Sequence, residues 1–257
     1  MNPTYQVRAH TADSLCPLAD EHLIQACLLD SKPRAFIWSA YPSLVVPRSY
    51  TRFSTFNEAT QIMKNEGWPV FVRQSGGGVV PQLSGILNVS LCWADYGRPL
   101  DRADETYLHL CGLVQQALSR QGLQAEAQAV EGSFCDGRYN LAIKDTHGIY
   151  RKIVGTAQYW SNARSAAWYQ PSKRQPGDAT DWHVVLAHAL ILMDTDLSIA
   201  TAQANKLERL LKTERRYDPK KIRSLRELHL DPDRFQQDLF NVLTNHYPPA
   251  HHLPFSP

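Results

Sequence analysis

A chain of 257 residues, 43% hydrophobic and 20% charged, can bury a substantial core of its own, and disordered and fibrous classes do not fit it. Lys and Arg number 27 against 25 acids, a net charge of +2 that excludes nucleic acid as the expected main partner, and no stretch approaches the roughly 20 apolar residues of a membrane span. Residues 1–20 lack the apolar core of a secretory signal, and Cys16, Cys27, Cys92, Cys111 and Cys135 form no C-x-x-C pair, so free thiols in a reducing cytoplasm are expected.

In chain order, Leu23, Ala26 and Cys27 have helical spacing within 20–29, and 34–46 reads as extended, interrupted by Pro42. Residues 51–66 read as a helix with Ser54 or Asn57 as N-cap and Gly67 as its stop. The apolar run Trp68 to Arg73 suits a buried strand and ends in Ser75-Gly76-Gly77-Gly78. Leu87, Val89, Leu91 and Trp93 then alternate with Asn88, Ser90 and Cys92, the period of a strand with one face to the core and the other to a cleft. A helix over 101–122 carries Leu108, Cys111, Val114 and Leu118 and ends at a glycine. Extended segments follow at 125–130, 139–143, 152–160 and 184–193. From Ser198 the texture becomes helical: a basic helix with Leu207, Leu210 and Leu211, then 218–228, then a last helix near 233–245. A mixed sheet with segregated flanking helices is an α+β architecture, and no internal repeat interrupts it.

Three motifs carry chemistry. In Arg73-Gln74-Ser75-Gly76-Gly77-Gly78-Val79, contiguous glycines remove every side chain between ligand and backbone, so the turn amides can hold a carboxylate, thioester oxygen or phosphate, with Arg73 adding a fixed charge. It is neither a Walker loop nor a dinucleotide fingerprint, and taken alone it is equally well a flexible hairpin turn. In Gly132-Ser133-Phe134-Cys135-Asp136-Gly137-Arg138-Tyr139-Asn140-Leu141, the turn between Ser133 and Gly137 presents the thiol, although a lone cysteine is more often a small buried hydrophobe. In Arg151-Lys152-Ile153-Val154-Gly155-Thr156-Ala157-Gln158, Lys152 begins a strand beside a glycine. An isolated lysine there is usually solvated, so its removal is expected to spare folding. His183 and His188, five apart, share neither a helix nor a strand face, and with the terminal His251-His252 they give no metal site; none is expected.

Taken together, Arg-x-Ser-Gly-Gly-Gly, then Gly85-Ile86-Leu87-Asn88-Val89-Ser90, then Ser-Phe-Cys-x-Gly-x-Tyr-Asn-Leu, then Lys-Ile-x-Gly-x-x-Gln resemble the biotin/lipoate protein ligase superfamily in order and spacing over residues 30–200. The likeness is greatest to its octanoyl- and lipoyl-transferring branch, whose members carry a cysteine in a Ser-Phe-Cys-x-Gly turn. The resemblance implies a catalytic domain over 1–200 like those of biotin ligase and the class II aminoacyl-tRNA synthetases, with 201–257 as a small helical C-terminal extension. It implies that Arg73, Ser75, Gly76, Gly77, Gly78 and Asn88 line an acyl and carboxyl-end pocket, joined by Gly137, Gly155 and Gln158. Lys152 would touch the reacting carbonyl. Cys135 would accept the acyl group, with Lys152 or Arg138 helping it ionise. A deep, largely apolar tunnel from the Gly76–Gly78 turn toward Lys152 is expected for the chain.

The implied activity is protein lipoylation: an octanoyl or lipoyl group passes to a lysine of a lipoyl carrier domain, either a 2-oxoacid dehydrogenase acyltransferase subunit or the glycine cleavage H protein, with no tightly bound cofactor. An ATP-dependent lipoate ligase, using lipoate and ATP/Mg as substrates through lipoyl-AMP, is the alternative, and a non-catalytic lipoyl or carrier binding protein is a third. Pro81-Gln82 stands where lipoate ligases usually have His-Asp, Ala189 follows His188 where glycine is common, and Tyr139-Asn140 replaces Tyr-Asp. Cys135 and Pro81-Gln82 fit the transferase, while the basic Lys220-Lys221-Ile222-Arg223-Ser224 resembles a ligase extension.

Overall fold

The computed structural model describes residues 4–169 and 181–249, so His251-His252 lies outside the described residues. The strands are β1 (Gln6–Leu15), β2 (Arg34–Ala40), β3 (Ser43–Pro47), β4 (Val70–Arg73), β5 (Val80–Gln82), β6 (Ile86–Gly97), β7 (Glu126–Ala127), β8 (Leu141–Lys144), β9 (Tyr150–Asn162) and β10 (Asp181–Leu192). The α-helices are α1 (Glu21–Asp30), α2 (Phe56–Asn65), α3 (Pro99–Ser119), α4 (Leu197–Leu210) and α5 (Pro232–Thr244). The large sheet has the order β1-β2-β6-β10-β9-β8-β7, antiparallel except for β1 beside β2. A small sheet has the order β4-β3-β5.

The large sheet is buried on both faces. Leu87, Val89, Leu91 and Trp93 of β6 meet Leu110, Leu113 and Val114 of α3 and Phe235, Leu239 and Val242 of α5. On the opposite face Cys92 and Ala94 lie under Leu23, Ile24 and Cys27 of α1, with Trp168 closing the layer. The alternation in β6 is therefore real, but it separates two cores as well as a core and a cleft. Helices α2 and α4 cover the small sheet through Ala59, Met63, Ala204 and Leu207. The segment expected as a C-terminal extension thus places α5 on the large sheet. Full burial of Phe235, Leu239, Val242 and Leu243 contributes about 1.5–3 kcal/mol each. Among the described residues no helix is long and apolar enough to cross a membrane.

Two elements differ from expectation, and a third, β1, lies where the sequence pattern gave none. β1 has no apolar alternation and is mostly exposed; main-chain pairing to β2 at the sheet edge holds it. The helix expected over 51–66 is a 3-10 turn at Arg48–Arg52 followed by α2, and neither Ser54 nor Asn57 is its cap; Thr55 holds that position without a side-chain bond. Residues 218–228 contain only single 3-10 turns, at Pro219–Lys221 and Arg226–Leu228. Between them Ile222 bridges to Lys152 and Arg223 N–H donates to the Lys152 carbonyl at 2.8 Å, which keeps the chain extended along β9.

Candidate active site

The glycine turn begins where β4 ends. Arg73 is buried, and its guanidinium donates to Ser75 Oγ (3.1 Å), Val45 O (2.9 Å), Gly76 O (2.7 Å) and Gly78 O (2.8 Å). Most of its fork is therefore spent splinting the turn rather than waiting for an anion. Gly77 takes φ 106°, and a Cβ there would sit 2.6 Å from Cys135 Sγ, so glycine is what lets the two turns approach.

Cys135 is half-buried and itself has φ 51°. Lys152 lies inside β9 and is 1% exposed, not solvated at a strand end as its isolated position suggested. Its Nζ donates to the carbonyls of Phe134 (2.5 Å) and Cys135 (2.8 Å). Burial pulls the ammonium down to about 8, against the opposing pull of Cys135 and Asp136. Gly155 makes room for it: a Cβ there would stand 3.2 Å from Nζ. Arg138, the other cation expected to help the thiol, is exposed and paired with Asp104 at 2.5 Å.

A cavity opens beside these groups, lined by Arg73, Ser75, Asn88, Cys135, Lys152 and Gly155 together with Ile24, Trp38, Leu186 and Leu190. Strand register gives its direction. Gly155 pairs with Leu190, Ala157 with His188, and Tyr159 with Leu186, and all six line the cavity. Two steps of two residues run about 13 Å at the rise of a strand.

The wall is not wholly apolar. Asp20 stands at the N-cap position of α1 without capping it; its carboxylate accepts from Ser90 Oγ (2.8 Å) and lies 3.2 Å from His188 Nδ1, while Trp38 Nε1 donates to Ser90 Oγ (3.0 Å). Asn88 exchanges two amide hydrogen bonds with Gln82, at 2.9 and 3.0 Å. Gln82, half of the Pro81-Gln82 departure, thus satisfies the polar group that Asn88 brings to the cavity.

The glycine turn does not line this cavity. Gly76, Gly77, Gly78 and Gly137 line a second, more open one with Tyr107, Glu131, Arg215 and Tyr217, and Cys135, Thr156 and Ala157 belong to both. The expected tunnel from the glycines to Lys152 is therefore not a single cavity among the described residues: Lys152 lines the first, the glycines line the second, and Cys135 lies on both. Gln158 lines neither cavity: it donates to Ala103 O (2.9 Å) and accepts from Trp160 Nε1 (2.9 Å). Sequence reasoning missed Glu208, a fully buried carboxylate that accepts from Tyr50 (2.7 Å), Tyr217 (2.7 Å) and Thr213 (2.6 Å). Through Tyr217, whose hydroxyl would be 3.4 Å from a Cβ on Gly78, it backs the glycine turn. Burial and Glu208 push the Tyr50 phenol up to about 12.

Residues 17–244 match the family model of the lipoyl protein ligase A/B catalytic domain. The chain belongs to this family. An uncharacterized protein of Cupriavidus necator is 42% identical over 222 residues, 86% of this chain and 84% of that protein. An octanoyl-GcvH:protein N-octanoyltransferase of Kyrpidia tusciae is 32% identical over 213 residues, covering 82% of this chain and 66% of the relative. A lipoyl-GcvH:protein N-lipoyltransferase of Listeria monocytogenes is 27% identical over 150 residues, about half of its own length at 49%. Among solved structures, lipoate-protein ligase A bound with ATP superposes with a TM-score of 0.64 at 17% identity over 94% of this chain and 84% of that one, which gives the fold. The lipoate-ligase fold and the family make this chain an acyltransferase or ligase enzyme of protein lipoylation.

Proposed function

We propose that the chain transfers an octanoyl or lipoyl group from an acyl donor to a lysine of a lipoyl carrier domain, through a thioester on Cys135. The observation that carries this reading is the position of Cys135 where two cavities meet, one running along β9 and β10 over a length comparable to an extended eight-carbon chain and the other somewhat more open. Cys135 thiolate attacks the acyl carbonyl carbon; the S–C bond forms, the bond to the donor's leaving group breaks, and that group departs with a proton. The amine of a carrier lysine then attacks the thioester; the C–N bond forms, the C–S bond breaks, and the ammonium loses its proton as the thiol returns.

Lys152 has three N–H donors and gives two to the carbonyls of Phe134 and Cys135. The third serves the oxyanion of each tetrahedral intermediate, with turn amides of the glycine loop beside it. Arg73 and Ser75 hold the turn, Asn88 and Gly155 shape the acyl cavity, and Gly137 belongs to the open side. This chemistry needs neither metal nor tightly bound cofactor. The names of the Kyrpidia and Listeria relatives support the glycine cleavage H protein as acyl donor, and a 2-oxoacid dehydrogenase lipoyl domain is the acceptor proposed. A reducing cytoplasm keeps Cys135 a free thiol in this reading.

The test is incubation with an apo carrier domain and an octanoyl thioester or octanoylated H protein, without ATP, read by intact mass. Octanoyl addition to the carrier is expected. Addition only when lipoate, ATP and Mg are supplied would replace the transferase by the ligase, and no addition under either condition would leave the binding protein.

A further inference from the structure

Cys135 occupies the left-handed region, φ 51°, which a non-glycine residue adopts only when its surroundings hold it there. Its carbonyl is held twice, by Lys152 Nζ at 2.8 Å and by Asn140 Nδ2 at 2.8 Å. Asn140 is fully buried, and its Oδ1 accepts from Thr156 N–H at 3.2 Å. Thr156 Oγ1 in turn donates to Tyr139 O at 2.9 Å, and Thr156 lines both cavities. The orientation of the amide is fixed by its neighbours, since the Thr156 N–H requires an acceptor and the Cys135 carbonyl a donor. An amide supplies both.

We infer that Asn140 is a positioning residue for the acyl transfer: it ties the Cys135 carbonyl to β9 so that the thiol faces Gly77 at the junction of the two cavities. This rests on the reading of Cys135 as the acyl acceptor. Lys152 fixes the same carbonyl with an ammonium whose third N–H serves the reacting oxygen, and Asn140 gives the turn a second hold that takes no part in the reaction.

The test compares Asn140→Ser with the unmodified full chain by three readouts: the rate of Cys135 alkylation by iodoacetamide, mapped on the peptide; kcat and KM for octanoyl transfer; and thermal stability. The serine is neutral and too short to reach the Cys135 carbonyl, so the donor is lost and no charge is added beside Lys152. Alkylation rate and kcat are expected to fall about tenfold, the kinetic equivalent of one hydrogen bond, with KM unchanged. Unchanged alkylation and kcat per folded molecule, whatever the melting temperature does, would overturn the inference. Should Asn140→Ser fail to fold, Asn140→Thr, also neutral and too short to reach the Cys135 carbonyl, is read the same way. Absence of an acyl adduct on wild-type Cys135 would reject the acceptor reading, and with it the role in transfer, while the alkylation comparison still decides whether Asn140 holds the thiol turn.

Discussion

Replacing Lys152 separates its packing from its charge. Lys152→Met keeps a side chain of similar length without the ammonium, and Lys152→Ala removes both. The group is 1% exposed, and burial moves it from 10.5 to about 8. That difference makes the charged form roughly 3 kcal/mol less favourable in the folded chain than in water. The unfolded lysine keeps its proton up to its ordinary range whereas the folded one releases it near 8. Between these limits the unfolded state binds more protons, so stability rises with pH there, by up to roughly 3 kcal/mol. Lys152→Met has no such proton to lose, and its advantage over, or deficit against, the wild type shifts by that amount across the window. Near neutral pH it is relieved of the buried charge but leaves the Phe134 and Cys135 carbonyls without those donors, at about 1–3 kcal/mol each. The effects oppose and leave Lys152→Met within about 3 kcal/mol of wild type. Lys152→Ala also forfeits three methylenes, a further roughly 2–3 kcal/mol. Both lose octanoyl transfer. Urea melts from neutral to alkaline pH measure the stabilities and intact mass the transfer; parallel pH profiles for wild type and Lys152→Met, or equal stability of the Met and Ala variants, would refute the reasoning.

Gly77→Ala, which puts a methyl 2.6 Å from Cys135 Sγ at φ 106°, is expected to reduce initial transfer rates on the order of a hundredfold by displacing the thiol. Gly76→Ala, with nothing within 4 Å of the new atom, serves as its control, and equal losses in the two would count against the contact. Glu208→Leu strands the hydroxyls of Tyr50, Tyr217 and Thr213 around a lost carboxylate and should lower unfolding free energy by at least about 3 kcal/mol. A urea melt within about 1 kcal/mol of wild type would mean that the network contributes little.

Much of the fold was legible because its strands are locally patterned. The period of two in 86–93 located β6, and the order of three motifs pointed to the family, whose model spans residues 17–244. What spacing could not tell was what lies across from a face. Asn88 and Cys92 share one side of β6, yet the first reaches the cavity beside Cys135 and the second lies under α1. Lys152 read as a solvated strand end because nothing nearby in sequence shows that the 131–139 turn and Ile222 cover it. Arg73 read as a ligand for an anion because its carbonyl acceptors belong to a turn whose shape no residue pattern gives. The unpredicted polar groups have the same origin. Asp20 meets His188 across 168 residues, and Tyr50 meets Glu208 across 158, so no local spacing links them.

The central claim, that Cys135 carries the acyl group, is tested most directly by mixing the protein with an octanoyl donor in the absence of acceptor and ATP and weighing it. One octanoyl group is expected on Cys135, released by neutral hydroxylamine as a thioester is, and absent together with transfer from Cys135→Ala; Cys135→Ser, a far poorer nucleophile, should do little better. An adduct mapped to Cys92, or full thioester-dependent transfer by Cys135→Ala, would contradict it.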